Sequence, residues 1–227
     1  NLGGGRDLIS ASGLNLTTGA SVIGGGGKDT ITLDISANTA VVILGDKGEA
    51  SPGQDSIDIE YDGGSNLRVK GQGGADTIVI SGAGASAFIA GGEGADSIIL
   101  SASIGDDVSV RGGEGNDTFL INAADLLTAS TLQGDIGNDS VVFKGDMSGS
   151  TLLGGAGNDT FVFSAGVNNS ALVSGDAGSD LMNFASTVSA SSVYGGDGKD
   201  TLIFSSAVNS ASISGGQLVD SLSFAST

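Results

Sequence analysis

The chain has 227 residues, among them 41 Gly, one Pro and no Cys, His or Trp, and its 8 basic and 26 acidic side chains leave a formal charge of -18. This excludes a disulfide framework, thiolate or imidazole metal sites and a histidine general base. The charge repels nucleic acid and anionic membrane and draws cations, and no apolar run reaches the roughly 18–20 residues of a membrane-spanning helix. Binding of nucleic acid and insertion into a membrane are therefore not expected.

Taken in chain order, the predicted elements follow one template. A Gly-rich turn closed by an acid recurs at Asp7, Asp29, Asp55, Asp76, Asp96, Asp117, Asp139, Asp159, Asp180, Asp200 and Asp220, at intervals of 20–22 residues except for the 26 between Asp29 and Asp55. After each acid comes Thr or Ser and then alternating apolar residues, as in Thr160, Phe161, Val162 and Phe163, which predicts a strand of period two. A small polar stretch follows, such as 164–170, with an apolar residue eight places past the acid (Ile104, Met147, Val167, Val188, Val208). It reads as a second turn. A second strand then leads into the next Gly block, its inward apolar residue expected at Val22, Ile43, Val69, Ile89, Val110, Leu132, Leu153, Val173, Val193 and Ile213.

Helices would pay about 1 kcal/mol for each interior Gly and would need an apolar period of 3.6. Strands stacked in register at about 4.8 Å bury what one coil cannot bury alone. The expected fold is all-β, a parallel β-solenoid (β-roll or β-helix) of about 11 coils of 20–22 residues with two strands per coil. Residues 1–227 read as one repeat domain. The first residue is not Met and both ends lie inside the repeat pattern, so the chain is read as part of a longer protein.

Consecutive glycines admit positive φ and leave carbonyls unshielded, while the closing carboxylate adds a charged oxygen. A lone Asp in a turn usually bonds its own backbone, but eleven stacked about 5 Å apart repel unless neutralised. Asp and carbonyl oxygens from adjacent coils can approach the six to eight that calcium prefers, an arrangement less suited to the tight octahedron of magnesium.

In these residues the turns resemble the RTX (hemolysin-type) calcium-binding repeat, G-G-x-G-x-D-x-U-x. The full matches are Gly24, Gly25, Gly27 and Asp29; Gly91, Gly92, Gly94 and Asp96; Gly112, Gly113, Gly115 and Asp117; Gly154, Gly155, Gly157 and Asp159; and Gly195, Gly196, Gly198 and Asp200. Gly134, Gly137 and Asp139, and likewise Gly175, Gly178 and Asp180, match with Asp135 and Asp176 in place of the second Gly, and Asp7 and Asp76 close further turns. The resemblance implies a β-roll that folds around calcium after export, of the type I kind, into a calcium-rich medium. It departs from the nine-residue unit: the period here is about twenty, so Ca2+ ions are expected along one edge only, with a Ser/Ala/Asn edge opposite. The turn ending at Asp55, with its insertion and Pro52, and the one ending at Asp220, with Leu218 for Gly, are expected to be weakest.

Asp106, Asp107 and Asp125 near the second turn, and Asp58, Glu60 and Asp62 beside Arg68 and Lys70, read as solvated charges. Of the N-x-[ST] triplets, those at Asn116, Asn138 and Asn158 lie inside the Gly-Asp turn, leaving Asn15 and Asn168 as looser glycosylation candidates. With no His and neither HExxH nor G-x-S-x-G in the chain, no enzyme is expected within it. The leading functional expectation is an extracellular, calcium-stiffened structural module of a secreted bacterial cell-surface protein such as an S-layer, fibril or adhesin, with end-to-end or lateral self-association as well as calcium among its partners. The alternative is the C-terminal module of a secreted hydrolase whose catalytic domain lies outside this chain.

Overall fold

The computed structural model describes residues 3–225 apart from 17–18, 36–39, 47–52, 62–64, 83, 102–104, 123–124 and 127–128, and at 125–126 the backbone alone. The insertion with Pro52, as well as Asp62, Ile104 and the Asp125 side chain, lies outside the described residues.

Among the described residues every regular element is a strand, and every pairing is parallel between one coil and the next. The strands that follow the closing acids, from Leu8–Leu14 through Ser56–Tyr61 and Thr118–Ile121 to Ser221–Phe224, form a front sheet of eleven. Those that enter the Gly turns, from Ala20–Ile23 through Leu67–Gly73 and Ser109–Glu114 to Ser212–Gln217, form a rear sheet of ten. The chain is thus an all-β parallel β-solenoid, with slightly fewer than eleven coils closed on both sides.

Two strands per coil proves too few for the later coils. Asp125–Leu126, Asp146–Ser148, Val167–Asn168, Val188–Ser189 and Val208–Asn209 pair into a third, five-stranded sheet. The apolar residue eight places past the acid drives this. Met147, Val167 and Val188 are fully buried, and stacking them in register (Met147 on Val167, Val167 on Val188) brings the flanking backbone into ladder contact.

Alternation sorts the side chains, as in any strand with one face in the core. In the front sheet Ile31, Ile57, Ile78, Ile98, Phe119, Val141, Phe161, Met182 and Leu202 make one inward column, all at most 1% exposed. A parallel column ends in phenylalanines: Phe143, Phe163, Phe184, Phe204 and Phe224 stack with ring centroids 4.7–5.2 Å apart and planes within 10° of parallel. Near-parallel aromatic stacks of this kind add to simple burial. In the coils where Phe takes over, the position two places before the inward residue of the rear strand narrows from Val41 and Leu67 to Ser150, Ala171 and Ser191, so large residues in one sheet face small ones at the other. One inward residue differs from expectation: Leu152, not Leu153, continues the column between Leu132 and Val173. Leu153 is an outward neighbour of Gln133 and is half-buried.

Candidate metal centre

The Gly-Asp turns join the rear sheet to the front sheet, and the alternation that buries Ile31 and Leu33 also turns Asp29 inward. The closing acids from Asp29 to Asp200 are at most 3% exposed. Each uses one oxygen in the same way. Oδ1 of Asp29 accepts the backbone N–H of Asp7, Oδ1 of Asp55 that of Asp29, and so on through Asp76, Asp96, Asp117, Asp139, Asp159, Asp180, Asp200 and Asp220, at 2.7–3.0 Å. This is an unbroken carboxylate ladder. It answers, in part, the expectation of ordinary turn acids: the backbone bond is real, but it crosses to the previous coil.

The second oxygen has no such partner. Oδ2 of Asp7, Asp29, Asp55, Asp76, Asp96, Asp117, Asp139, Asp159, Asp180 and Asp200 is buried without a hydrogen bond. A buried oxygen of an ionised carboxylate left in this state costs several kcal/mol unless a proton or a cation meets it. Burial accordingly pushes seven of these acids above their ordinary range, to about 8 at Asp76, to about 7 at Asp117 and Asp180, and to about 6 at Asp55, Asp96, Asp139 and Asp159. The N–H donated by the preceding acid works against this rise. At most of these acids, including Asp76, Asp117 and Asp180, neighbouring carboxylates in the ladder add to it. Asp200 is raised for the same leading reason.

The first glycine of each turn shows where the lone oxygen sits. A Cβ on Gly112 would collide with Oδ2 of Asp117 and press on the carbonyl of Gly134 in the next coil. The same holds at Gly24, Gly134, Gly154, Gly175 and Gly195, with the closing acid of their own turn and the first glycine of the next. Two kinds of oxygen therefore border one small space that a side chain would fill. The later glycines serve the stacking. Gly92 and Gly157 have φ of 128° and 136°, and a Cβ on either would strike a carbonyl of the preceding coil. Gly25, Gly27, Gly94, Gly113, Gly115, Gly137, Gly155, Gly178, Gly196 and Gly198 occupy the equivalent places. At the second place Gln72, Asp135 and Asp176 are held at φ of 86°, 77° and 71°, and at the fourth Leu218 is held at 72°, all in the left-handed region that L residues avoid.

Among the described residues no three carboxylates converge on one point. A cation held here would draw on Oδ2 of one acid and on backbone carbonyls, whose second lone pair remains available even when the first is in a ladder. Hard oxygen donors of this kind suit calcium.

Asp55 stands in the ladder like its neighbours, with Gly45 behind its Oδ2 and Gly53 stacked on Gly27, while residues 47–52 of its turn lie outside the described residues. Asp220 closes the ladder at its partly exposed end. A second ladder went unread in the sequence. Oδ1 of Asn116 accepts the N–H of Asn138, Oδ1 of Asn138 that of Asn158 and Oδ1 of Asn158 that of Ser179, each at 2.7 Å on the exposed side of the turns. The signal was present, since all four residues immediately precede a closing acid. At the opposite edge a shorter serine ladder runs from the N–H of Val108 to Oγ of Ser130 and from the N–H of Ser130 to Oγ of Ser150.

Comparison with known protein families matches the RTX calcium-binding nonapeptide repeat, in four copies, over residues 150–169 and 189–206. These two stretches carry RTX repeats. The two matched stretches contain the turns closed by Asp159 and Asp200, and the unmatched stretch between them contains Asp176 in place of the second Gly. No curated protein and no solved structure matches the chain. The matched repeats imply calcium binding, and the fold that presents them is a β-solenoid.

Proposed function

We propose that this chain is a calcium-dependent structural module of a secreted, cell-surface bacterial protein, stiffened by Ca2+ ions between successive Gly-Asp turns along one edge. The observation that carries the reading is the column of buried Oδ2 atoms without hydrogen bonds. Carbonyls of the first glycines border the same spaces, and RTX repeats match at the turns closed by Asp159 and Asp200. The ligands assigned are the closing acids from Asp7 to Asp200, with the glycines of their own and adjoining turns supplying carbonyls.

Each ion sits between two coils in this reading, so binding and coil stacking are one event. Metal binding of this kind is folding free energy. Outside the cell, calcium is plentiful and the solenoid closes; inside, scarcity keeps the acids repelling one another. Calcium titrated into chelated protein should bring up the strand signal in far-ultraviolet circular dichroism cooperatively. A strand signal that ignores the chelator at neutral pH sinks the proposal.

A further inference from the structure

Charge on the outer faces is distributed unevenly, and the contrast is sharpest on the coil that follows Asp55. Its front strand, Ser56–Tyr61, turns Ile57, Ile59 and Tyr61 inward and leaves Asp58 and Glu60 exposed. Register sets Glu60 beside Asp34 on the neighbouring strand, and with Ser10, Thr32 and Ser81 these acids line an open hollow on the front face. The rear strand of the same coil, Leu67–Gly73, turns Leu67 and Val69 inward and carries Arg68 and Lys70 outside. The Arg68 guanidinium lies 4.8 Å from the centroid of the Phe88 ring and Lys70 Nζ lies 5.5 Å from it. Val42 and Leu44 join the two cations in a second open hollow on the rear face.

Among the described residues neither set forms an ion pair with an opposite charge. Among the described residues the ion pair formed is Arg111 with Asp135 at 3.7 Å, and neither Arg68 nor Lys70 takes part in it. With 26 acids and 8 bases in the chain, two neighbouring bases that form no ion pair among the described residues stand out. On the front face, Asp34 and Glu60 lie about 4.8 Å apart along the ladder, where like charges repel. Asp34 already accepts the N–H of Gly13 at 3.0 Å, which offsets part of that cost.

We propose that solenoids associate side by side, the rear face bearing Arg68, Lys70 and Phe88 of one copy receiving the front face bearing Asp34, Asp58 and Glu60 of the next. The commitment to a second copy rests on charge complementarity and on position. Asp58, Glu60, Arg68 and Lys70 belong to one coil, so a sideways translation with no shift along the axis brings opposite charges together. Such a contact joins two different faces, so it is heterologous and leaves a free face at each end of the row. The charges set register and steer the encounter, and the half-buried Val42, Leu44 and Phe88 supply apolar area. The inference needs the folded solenoid and goes beyond the calcium reading.

The test uses calcium-loaded protein in sedimentation velocity at low and high salt. The parent chain should form concentration-dependent oligomers at low salt that dissociate when screening shortens the reach of surface charges. Arg68→Glu with Lys70→Glu gives a chain acidic on both faces, and Asp58→Lys with Glu60→Lys gives one basic on both; each alone should sediment as a monomer. Mixed in equal amounts they should associate again. A parent chain that stays monomeric at low salt, reversed variants that still associate alone, or a mixture that stays monomeric overturns the proposal. Circular dichroism with and without calcium on each variant separates loss of association from loss of the calcium-dependent fold. Arg68→Gln with Lys70→Gln removes charge without adding any and should also be monomeric, which covers a reversal that disturbs folding.

Discussion

Oδ1 of Asp117 accepts the backbone N–H of Asp96 at 2.8 Å, while Oδ2 of the same carboxylate is buried with no hydrogen bond at all. One side chain thus divides its two oxygens between holding the previous coil and waiting for a positive charge. The two roles are separable by mutation.

Asp117→Ala removes both. It strands the Asp96 N–H in the interior, at a cost of about 1–3 kcal/mol for a buried unsatisfied donor, and should lower the melting temperature in calcium. Asp117→Asn keeps an acceptor and removes the charge, so it should bind fewer calcium ions yet hold more strand than the parent in chelator at pH 8. Ion counting by equilibrium dialysis, with dichroism alongside, checks both. Equal loss in the two variants would mean that charge is irrelevant at this position.

The metal-free chain should lose stability as pH rises. Seven ladder acids have folded values raised from 3.8 to between about 6 and about 8. Between 3.8 and those values the folded state binds more protons than the unfolded one, so stability falls with increasing pH. Chelated protein should therefore show more strand at pH 5 than at pH 8. In saturating calcium the order reverses, because protons compete with the ion for the same oxygens. Chelated protein that is as unfolded at pH 5 as at pH 8 would contradict the buried ladder.

Gly112→Ala should be among the most damaging single changes. Its Cβ would meet the Gly134 carbonyl, a backbone atom, and Oδ2 of Asp117, whose other oxygen is held by the Asp96 N–H. Forced overpacking typically costs about 1–3 kcal/mol. Ala156→Ser, on the exposed side of a turn, serves as the control and should be neutral in thermal melts.

Ala190→Gly should stabilise. Ala190 sits at the second turn with φ of 49°, and its N–H donates to the Asn209 carbonyl at 2.9 Å. The left-handed conformation costs an L residue about 1–2 kcal/mol, and glycine gives back part of that gain as chain entropy, about 0.5–1 kcal/mol. A small rise in melting temperature is expected, and a fall would show that the alanine methyl packs usefully.

Much of this was readable in the residues. The spacing of the closing acids located every front strand, because stacking forces each coil to repeat its length. The inward position of the acids was readable too: Asp29, Ile31 and Leu33 lie two apart, so a strand that buries the last two must bury the first. Leu152 and Leu153 were ambiguous as adjacent leucines, and counting back two places from Gly154 selects Leu152. The third sheet was hidden because Val167–Asn168 is two residues long, too short for any periodic signal. Nothing in composition marks Ala190 or Ser210 for positive φ; the coil must turn there, and the neighbouring coils impose the conformation.

The ladder bonds run from coil to coil, along the length of the solenoid rather than across it. A pull on the two ends therefore loads these bonds in series, one rung after another, and the weakest rung yields first. Each coil that opens trades about 4.8 Å of folded height for a strand of some twenty residues, which extends to roughly 70 Å. Under tension the chain should lengthen in discrete steps of that size, with the force of each step set by whatever joins that coil to the next. It is a spring with a graded yield point, and salt or metal in the medium would tune its stiffness.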